Sequence, residues 1–351
     1  MHAKMVHALT TLVIAVFLMA IALSAGAAAP MVVRVGIVGP VPDFFHEQVA
    51  TPLNMWDDAG IKIKYIEFSS GAPMIEAFAA GELDMGVIGG PPVVFANTRF
   101  FLPVVAAWDA SGIIEMWVRP EDAQRIQAVG EAAWFKGKSI GYTQGTTGHF
   151  MLQGYLRNIG LSPKDVKLVH LEPGDREQAF LRGDVNAVQS WFPPNKLLKS
   201  AGMSLLTTGR KQNITIPSAV VARAAFLERH PDVVVKFLDV HFRLIDLLQK
   251  DRDRFLDTQA KWFNTHGIKL SRDELAQVHG NVVYYDLESQ IDSFSPKSGE
   301  RLSYFGQAFQ DMAAFFKENG AIKGNLPDFR QIVDAQLKYL KMLKDARTKN
   351  K

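Results

Sequence analysis

The chain has 351 residues, 39 Lys and Arg against 36 Asp and Glu, and no cysteine. A formal charge of +3 without a Lys/Arg block or an interleaved basic and aromatic stripe argues against a nucleic-acid partner. The lack of cysteine excludes disulfides and a lipid anchor attached through a cysteine at a cleavage point.

Residues 1–30 differ from the rest. Lys4 precedes an uncharged apolar run from Ala8 to Leu23, and small residues follow from Ser24 to Ala29. This order reads as a secretory signal peptide over residues 1–27, cleaved after Ala25-Gly26-Ala27, and marks the protein as exported. The alternative is a retained single-span anchor, since the run approaches the roughly 18 residues a membrane helix needs. Some 320 residues would remain, about the size at which one core stops growing, so two domains are expected.

Val32 to Val38 reads as a buried strand, Phe44 to Ala59 as a helix stopped by Gly60, and Ile61, Ile63 and Tyr65 as one face of a half-exposed strand. Short apolar runs follow at Met85–Ile88, Val104–Ala107, Ser139–Tyr142 and Val166–Leu171, each separated from the next by a helical pattern. Met151, Leu152, Tyr155, Leu156 and Ile159 share a helical face capped by Gly160. Strands alternating with helices imply an α/β fold with parallel sheets. After Pro231 the pattern is helical only, over Asp232–Leu248, Asp253–Thr265, a segment with Leu302, Phe305, Phe309, Met312 and Phe316 in a stripe, and Asp328–Leu343 before a Lys-rich tail. The stripe reads as core, not as a ligand box.

Enzyme signatures are missing. There is no G-x-S-x-G elbow, H-E-x-x-H helix or Walker loop, and the nine histidines lack metal-ligand spacing, so neither a cofactor nor a metal is expected. Three turns at strand-to-helix junctions stand out: Ser69-Ser70-Gly71-Ala72, Gly89-Gly90-Pro91-Pro92 and Gln144-Gly145-Thr146-Thr147-Gly148. Each offers backbone amides at the positive end of a helix, where an oxyanion can be held without a cationic side chain. Ordinary capping by Ser70 or Thr146 is the competing account of each turn. Phe44, Phe45, Trp108 and Trp191 sit in or beside loops and would supply apolar walls, Trp191 in a stiff turn made by Phe192-Pro193-Pro194. Hydrophobic cover for a hinge is the alternative for that indole.

Three stretches, Ser69–Pro92, Phe135–Leu161 and Asp175–Pro194, resemble the periplasmic binding proteins for sulfonates, taurine and nitrate. The resemblance implies a type II fold of two lobes, each a mainly parallel sheet flanked by helices, with added C-terminal helices. Lobe one would be residues 32–118 plus 217–345 and lobe two residues 119–216, with crossings near Glu115–Arg119 and Thr215–Ala219. It implies no catalysis. The chain would be a monomeric solute-binding component of an ABC importer, delivering a small sulfonate-like anion to a membrane permease. Ligand contacts would come from Ser70, Gly71, Ala72, Gly90, Pro91, Thr146, Thr147, Gly148 and Trp191, with Phe44 and Trp108 beside them. Relatives commonly place an acidic residue between the tryptophan and the proline. Phe192 stands there in this chain, which points away from taurine and toward an apolar tail, with Asp109 as another source of a carboxylate. Alternatives are a stacked heterocycle, such as a thiamine-pyrimidine precursor, and an enzyme like the pyrimidine synthases.

Overall fold

The computed structural model describes residues 31–349. The signal peptide expected at residues 1–27 lies outside the described residues. From Val33 onward the chain clusters as one compact unit built on two five-stranded sheets.

The first sheet contains β1 (Val32–Val38), β2 (Lys62–Phe68), β3 (Met85–Gly89), β4 (Val104–Asp109) and β10 (Pro217–Ala222), in the order β2-β1-β3-β10-β4. The second contains β5 (Ile114–Val118), β6 (Ser139–Tyr142), β7 (Lys167–His170), β8 (Ala187–Trp191) and β9 (Ser204–Thr208), in the order β7-β6-β8-β5-β9. The helices used below are α1 (Gly71–Ala79), α2 (Gly90–Asn97), α3 (Thr147–Asn158), α4 (Asp175–Arg182), α5 (Asn195–Ser200), α6 (Pro231–Lys250), α7 (Arg252–Thr265), α8 (Arg272–Gly280), α9 (Tyr304–Glu318) and α10 (Leu337–Lys349).

The α/β class holds, and the sheets are mixed. Pairings β1–β3, β6–β7 and β6–β8 are parallel, while β10 runs antiparallel to β3 and β4, and β5 antiparallel to β8 and β9. The reversed strands are the two by which the chain enters a sheet from the other lobe. Here the boundary differs from expectation. The chain leaves the first sheet at Asp109 and enters the second at Ile114, so Glu115–Val118 lie in a strand of lobe two and residues 110–113 form the crossing. The return crossing is residues 209–216.

Two expected helices are broken. In Phe44–Ala59 a π-turn, His46–Ala50, and a short helix, Met55–Asp58, flank Asn54 in the left-handed region (φ 55°). Pro52, which has no amide hydrogen to donate, precedes the break. The segment from Asp328 is interrupted at Val333, and α10 then runs to Lys349 through the tail. The aromatic stripe is core: Phe305, Phe309, Met312 and Phe316 on α9 are fully buried.

Asp109 joins the two crossings. Its carboxylate accepts from Ser111 N–H and Oγ–H, both at 2.9 Å, and from Ile216 N–H at 3.2 Å. Its backbone pairs in both directions with Val283, at 3.1 and 2.9 Å. Asp109 therefore ties both crossings to the C-terminal region and is absent from the cavity described below, where it had been a candidate carboxylate. Replacing Asp109 with Ala should cost roughly 1–3 kcal/mol in denaturant melts, because the Ile216 amide loses its acceptor. A stability equal to that of the unaltered protein would show that the clasp is dispensable.

Candidate functional site

The carboxyl ends of β1 and β3 in the first sheet face that of β8 in the second, as expected of ligand sites in open α/β sheets. Between them lies a cavity of about 60 Å³. Lobe one contributes Val38, Val41, Asp43, Phe44, Ser70 and Gly89 to its wall, with Ser218 at the start of β10. Lobe two contributes Thr146, Thr147 and Trp191, and Ala110 and Ile113 close it from the crossing. The lobes are in contact here: a Cβ built on Gly89 would lie 2.7 Å from Thr147 Cγ2. The space suits a small solute, well under the roughly 300 Å³ at which drug-sized sites begin.

Of the expected residues, Phe44, Ser70, Gly71, Thr146, Thr147 and Trp191 line this cavity, and Ala72, Gly90, Pro91, Gly148 and Trp108 do not. The three turns also differ in what they can donate. Ser70 is the N-cap of α1 but makes no capping hydrogen bond, which leaves its hydroxyl and the first amides of α1 free for a ligand. At α2 the second and third positions are Pro91 and Pro92, which have no amide hydrogen. At α3 the capping account applies: Thr146 Oγ1 accepts from His149 N–H at 3.3 Å and donates to Thr143 O at 2.8 Å. The amides of Gln144 and Gly145 are also taken, by Nδ1 of His170 and of His149, each at 3.2 Å. Gly148 is required by packing, since a Cβ there would lie 1.9 Å from Gln189 Oε1.

Trp191 ends β8, paired with Ile114, and is not in the turn that follows. Phe192, the first residue of that turn, lines a separate groove with Lys196, Lys199 and Glu115, and gives no ground for an apolar ligand tail. The Trp191 ring lies 3.7 Å from the guanidinium carbon of Arg176, a fully buried residue. Arg176 Nε donates to Glu177 Oε1 at 2.7 Å, and Nη1 donates to Thr143 Oγ1 at 2.9 Å and Gln189 Oε1 at 3.1 Å. Ser190 Oγ donates to the same Glu177 oxygen at 2.5 Å. A buried, paired cation thus fixes the indole from behind.

Trp108 is buried within β4, not beside a loop. Its Nε1–H donates to Asp43 Oδ2 at 2.9 Å, and its ring packs edge-on against Phe44 at 5.9 Å. Asp43 carries no signal in the sequence, since one carboxylate in Pro42-Asp43-Phe44 matches no motif. Burial raises its pKa to about 6, against the lowering effect of the Trp108 hydrogen bond. The loop carrying it is held by side chains. Gln48 Nε2 donates to Val41 O at 2.9 Å, Gln259 Nε2 to Pro42 O at 2.8 Å, and His46 shares a 2.9 Å hydrogen bond with His241.

The matched relatives agree with this architecture. A fold of two α/β lobes around a cavity at the strand ends is that of the periplasmic binding proteins: the crystal structure of the periplasmic aliphatic sulphonate binding protein SsuA from Escherichia coli superposes with a TM-score of 0.67, covering 87% of this chain and 92% of that one at 22% identity. Residues 26–264 match the NMT1-like family, and the chain belongs to that family. A putative aliphatic sulfonates-binding protein of Bacillus subtilis is 29% identical over 208 residues, 58% of this chain and 60% of the relative. The match therefore spans less than two thirds of that relative's length. The taurine-binding periplasmic protein of Escherichia coli is 24% identical over 297 residues, 80% of this chain and 84% of the relative.

Burial holds His149 at about 4, His241 and His279 at about 3, and His46 well below the ordinary imidazole value. These folded-state values lie under that of the unfolded chain, so the unfolded chain binds protons first as pH falls below about 6.5. The sign is a loss of stability on acidification, from about 6.5 to 4 for His149. Asp43, raised to about 6, works in the opposite direction, as do Glu47, Glu115 and Asp334, which burial also raises, while Asp84, Glu274 and Asp286, held below the ordinary carboxyl value, add to the loss. Melts from pH 7.5 to 4.5 should show stability falling, and a His149→Gln variant should fall less steeply. Equal slopes would remove His149 from the account.

Proposed function

We propose that the chain is the periplasmic solute-binding component of an ABC importer, capturing a small sulfonate-like organic anion between its lobes for a membrane permease. One observation carries this reading: the cavity wall is drawn from both lobes and the crossing, so a solute is enclosed only when the lobes meet. The relatives' names supply the ligand class. The Ser70 hydroxyl and the Gly71 amide hold the oxyanion from lobe one, the Thr147 amide from lobe two, and Phe44 and Trp191 contact the body of the solute. We assign the chain no catalysis, no cofactor and no role with nucleic acid. It works as a monomer, and residues 1–27 direct its export and are removed.

A ligand that binds only the folded state stabilises it by about 2.7 kcal/mol at one hundred times its dissociation constant. Short alkanesulfonates at saturation should accordingly raise the melting temperature by several degrees and reduce the radius of gyration in solution scattering. A shift from an uncharged heterocycle with none from any sulfonate would reverse the ligand class.

Trp191→Phe tests the wall. It keeps an aromatic face on Arg176 while shortening the surface toward the cavity. The expected result is weaker sulfonate binding in calorimetry with little change in the melt. Unchanged affinity with a lower melting temperature would make Trp191 structural only.

A further inference from the structure

The solute-binding reading leaves one group of the cavity wall unused. Asp43 is 1% exposed, and its Oδ2 accepts from the Trp108 indole at 2.9 Å. Its Oδ1 is buried with no hydrogen-bond partner, and no cation pairs with the carboxylate among the described residues. An acceptor left in this condition bears its full desolvation cost. The neighbouring groups cannot relieve it. Tyr284, whose phenol is pushed up by burial and then by the Asp43 charge, has its hydroxyl in a 2.8 Å hydrogen bond with His279 Nδ1. His241, whose ring is 5.9 Å from that of Trp108, is engaged with His46. Nor is the loop free to turn Asp43 outward, since the carbonyls of Val41 and Pro42 are held by Gln48 and Gln259.

We propose that Asp43 forms a second subsite of the cavity and that the solute presents an amino group to it, making the ligand a zwitterion with an oxyanion at one end and an ammonium at the other. This rests on the solute-binding reading above, and it moves the carboxylate for such a group from the Trp191–Pro193 turn, where Phe192 stands, to the loop after β1. The ammonium supplies the donors that Oδ1 lacks. Burial raises the Asp43 pKa to about 6, and a cation beside the carboxylate favours its charged form. A solute with an oxyanion and no donor leaves Asp43 unpaired and sets like charges in one small space.

The test is calorimetric titration of the full chain at pH 7.5 with two matched pairs, 2-aminoethanesulfonate against propanesulfonate and β-alanine against butanoate. The amino member of at least one pair should bind ten times or more tighter than its methyl counterpart, and Asp43→Asn should remove most of that preference. The preference in the unaltered protein is a test that does not depend on how the variant folds. Binding by β-alanine alone, with both sulfonates silent, would overturn the sulfonate reading and leave the Asp43 subsite standing. Equal affinities within both pairs, tighter binding of the methyl members, a preference that survives Asp43→Asn, or no binding by either amine would overturn the subsite.

Discussion

The two lobes depend on one carboxylate. Asp109 receives hydrogen bonds from Ser111 on the outgoing crossing and Ile216 on the returning one, and its backbone bridges to Val283. Ala110 N–H adds a bond to Ile216 O at 2.9 Å, and Gly209 N–H another to Ile114 O at 2.9 Å. The crossings therefore behave as one short hydrogen-bonded strip. Motion of the lobes must be absorbed by backbone rotations in and beside that strip, which is how hinges work. Because the strip is short, the strand ends of the two sheets stay opposed and the cavity forms at their junction.

Each lobe then fixes its own side of the cavity by a different means. Lobe two uses a buried ion pair: Arg176 and Glu177 satisfy Thr143, Gln189 and Ser190, and the guanidinium supports the Trp191 ring. Removing either partner alone would leave a charge buried without compensation, which is far more costly than losing the pair's net attraction. Lobe one uses neutral groups. Gln48, Gln259, His46, His241 and His279 hold the loop after β1 through hydrogen bonds in a site where imidazolium is strongly disfavoured. Both supports are assembled from residues far apart in the chain.

That distance decides what could be read from the sequence. Strand runs such as Ser139–Tyr142 and the helix carrying Met151 and Tyr155 are legible because their signals are local: an apolar run, a repeating face, a glycine. The Ser70 and Thr146 turns were placed at the cavity for the same reason. Whether a turn's amides are free is not local. The Gln144 amide is lost to His170, twenty-six residues away, and no spacing rule connects them. Trp191 was recognised as a wall but placed in a turn, because the prolines after it signal a bend while its pairing with Ile114 is a tertiary fact. Phe192, the first residue past the strand, lines a separate groove. Asp43 was invisible for the plainest reason: a single acid in a loop acquires its character only when Trp108 and Phe44 exclude water from it.

The charge balance of the cavity follows from these supports. Among the described residues its wall contains no Lys, Arg or His, and its one ionisable group is a carboxylate whose charged form is disfavoured by burial. The fixed positive potential is supplied by helix N-termini, whose partial charges do not titrate. A site of this kind cannot attract an anion by neutralising it with a side chain. It must instead exchange the solute's hydration for oriented amides and hydroxyls, an exchange that becomes favourable only when closure has removed the water. Affinity and lobe closure are thus the same event, and the rigidity that Arg176 and the loop after β1 give to the two walls reduces the ordering cost that closure would otherwise add.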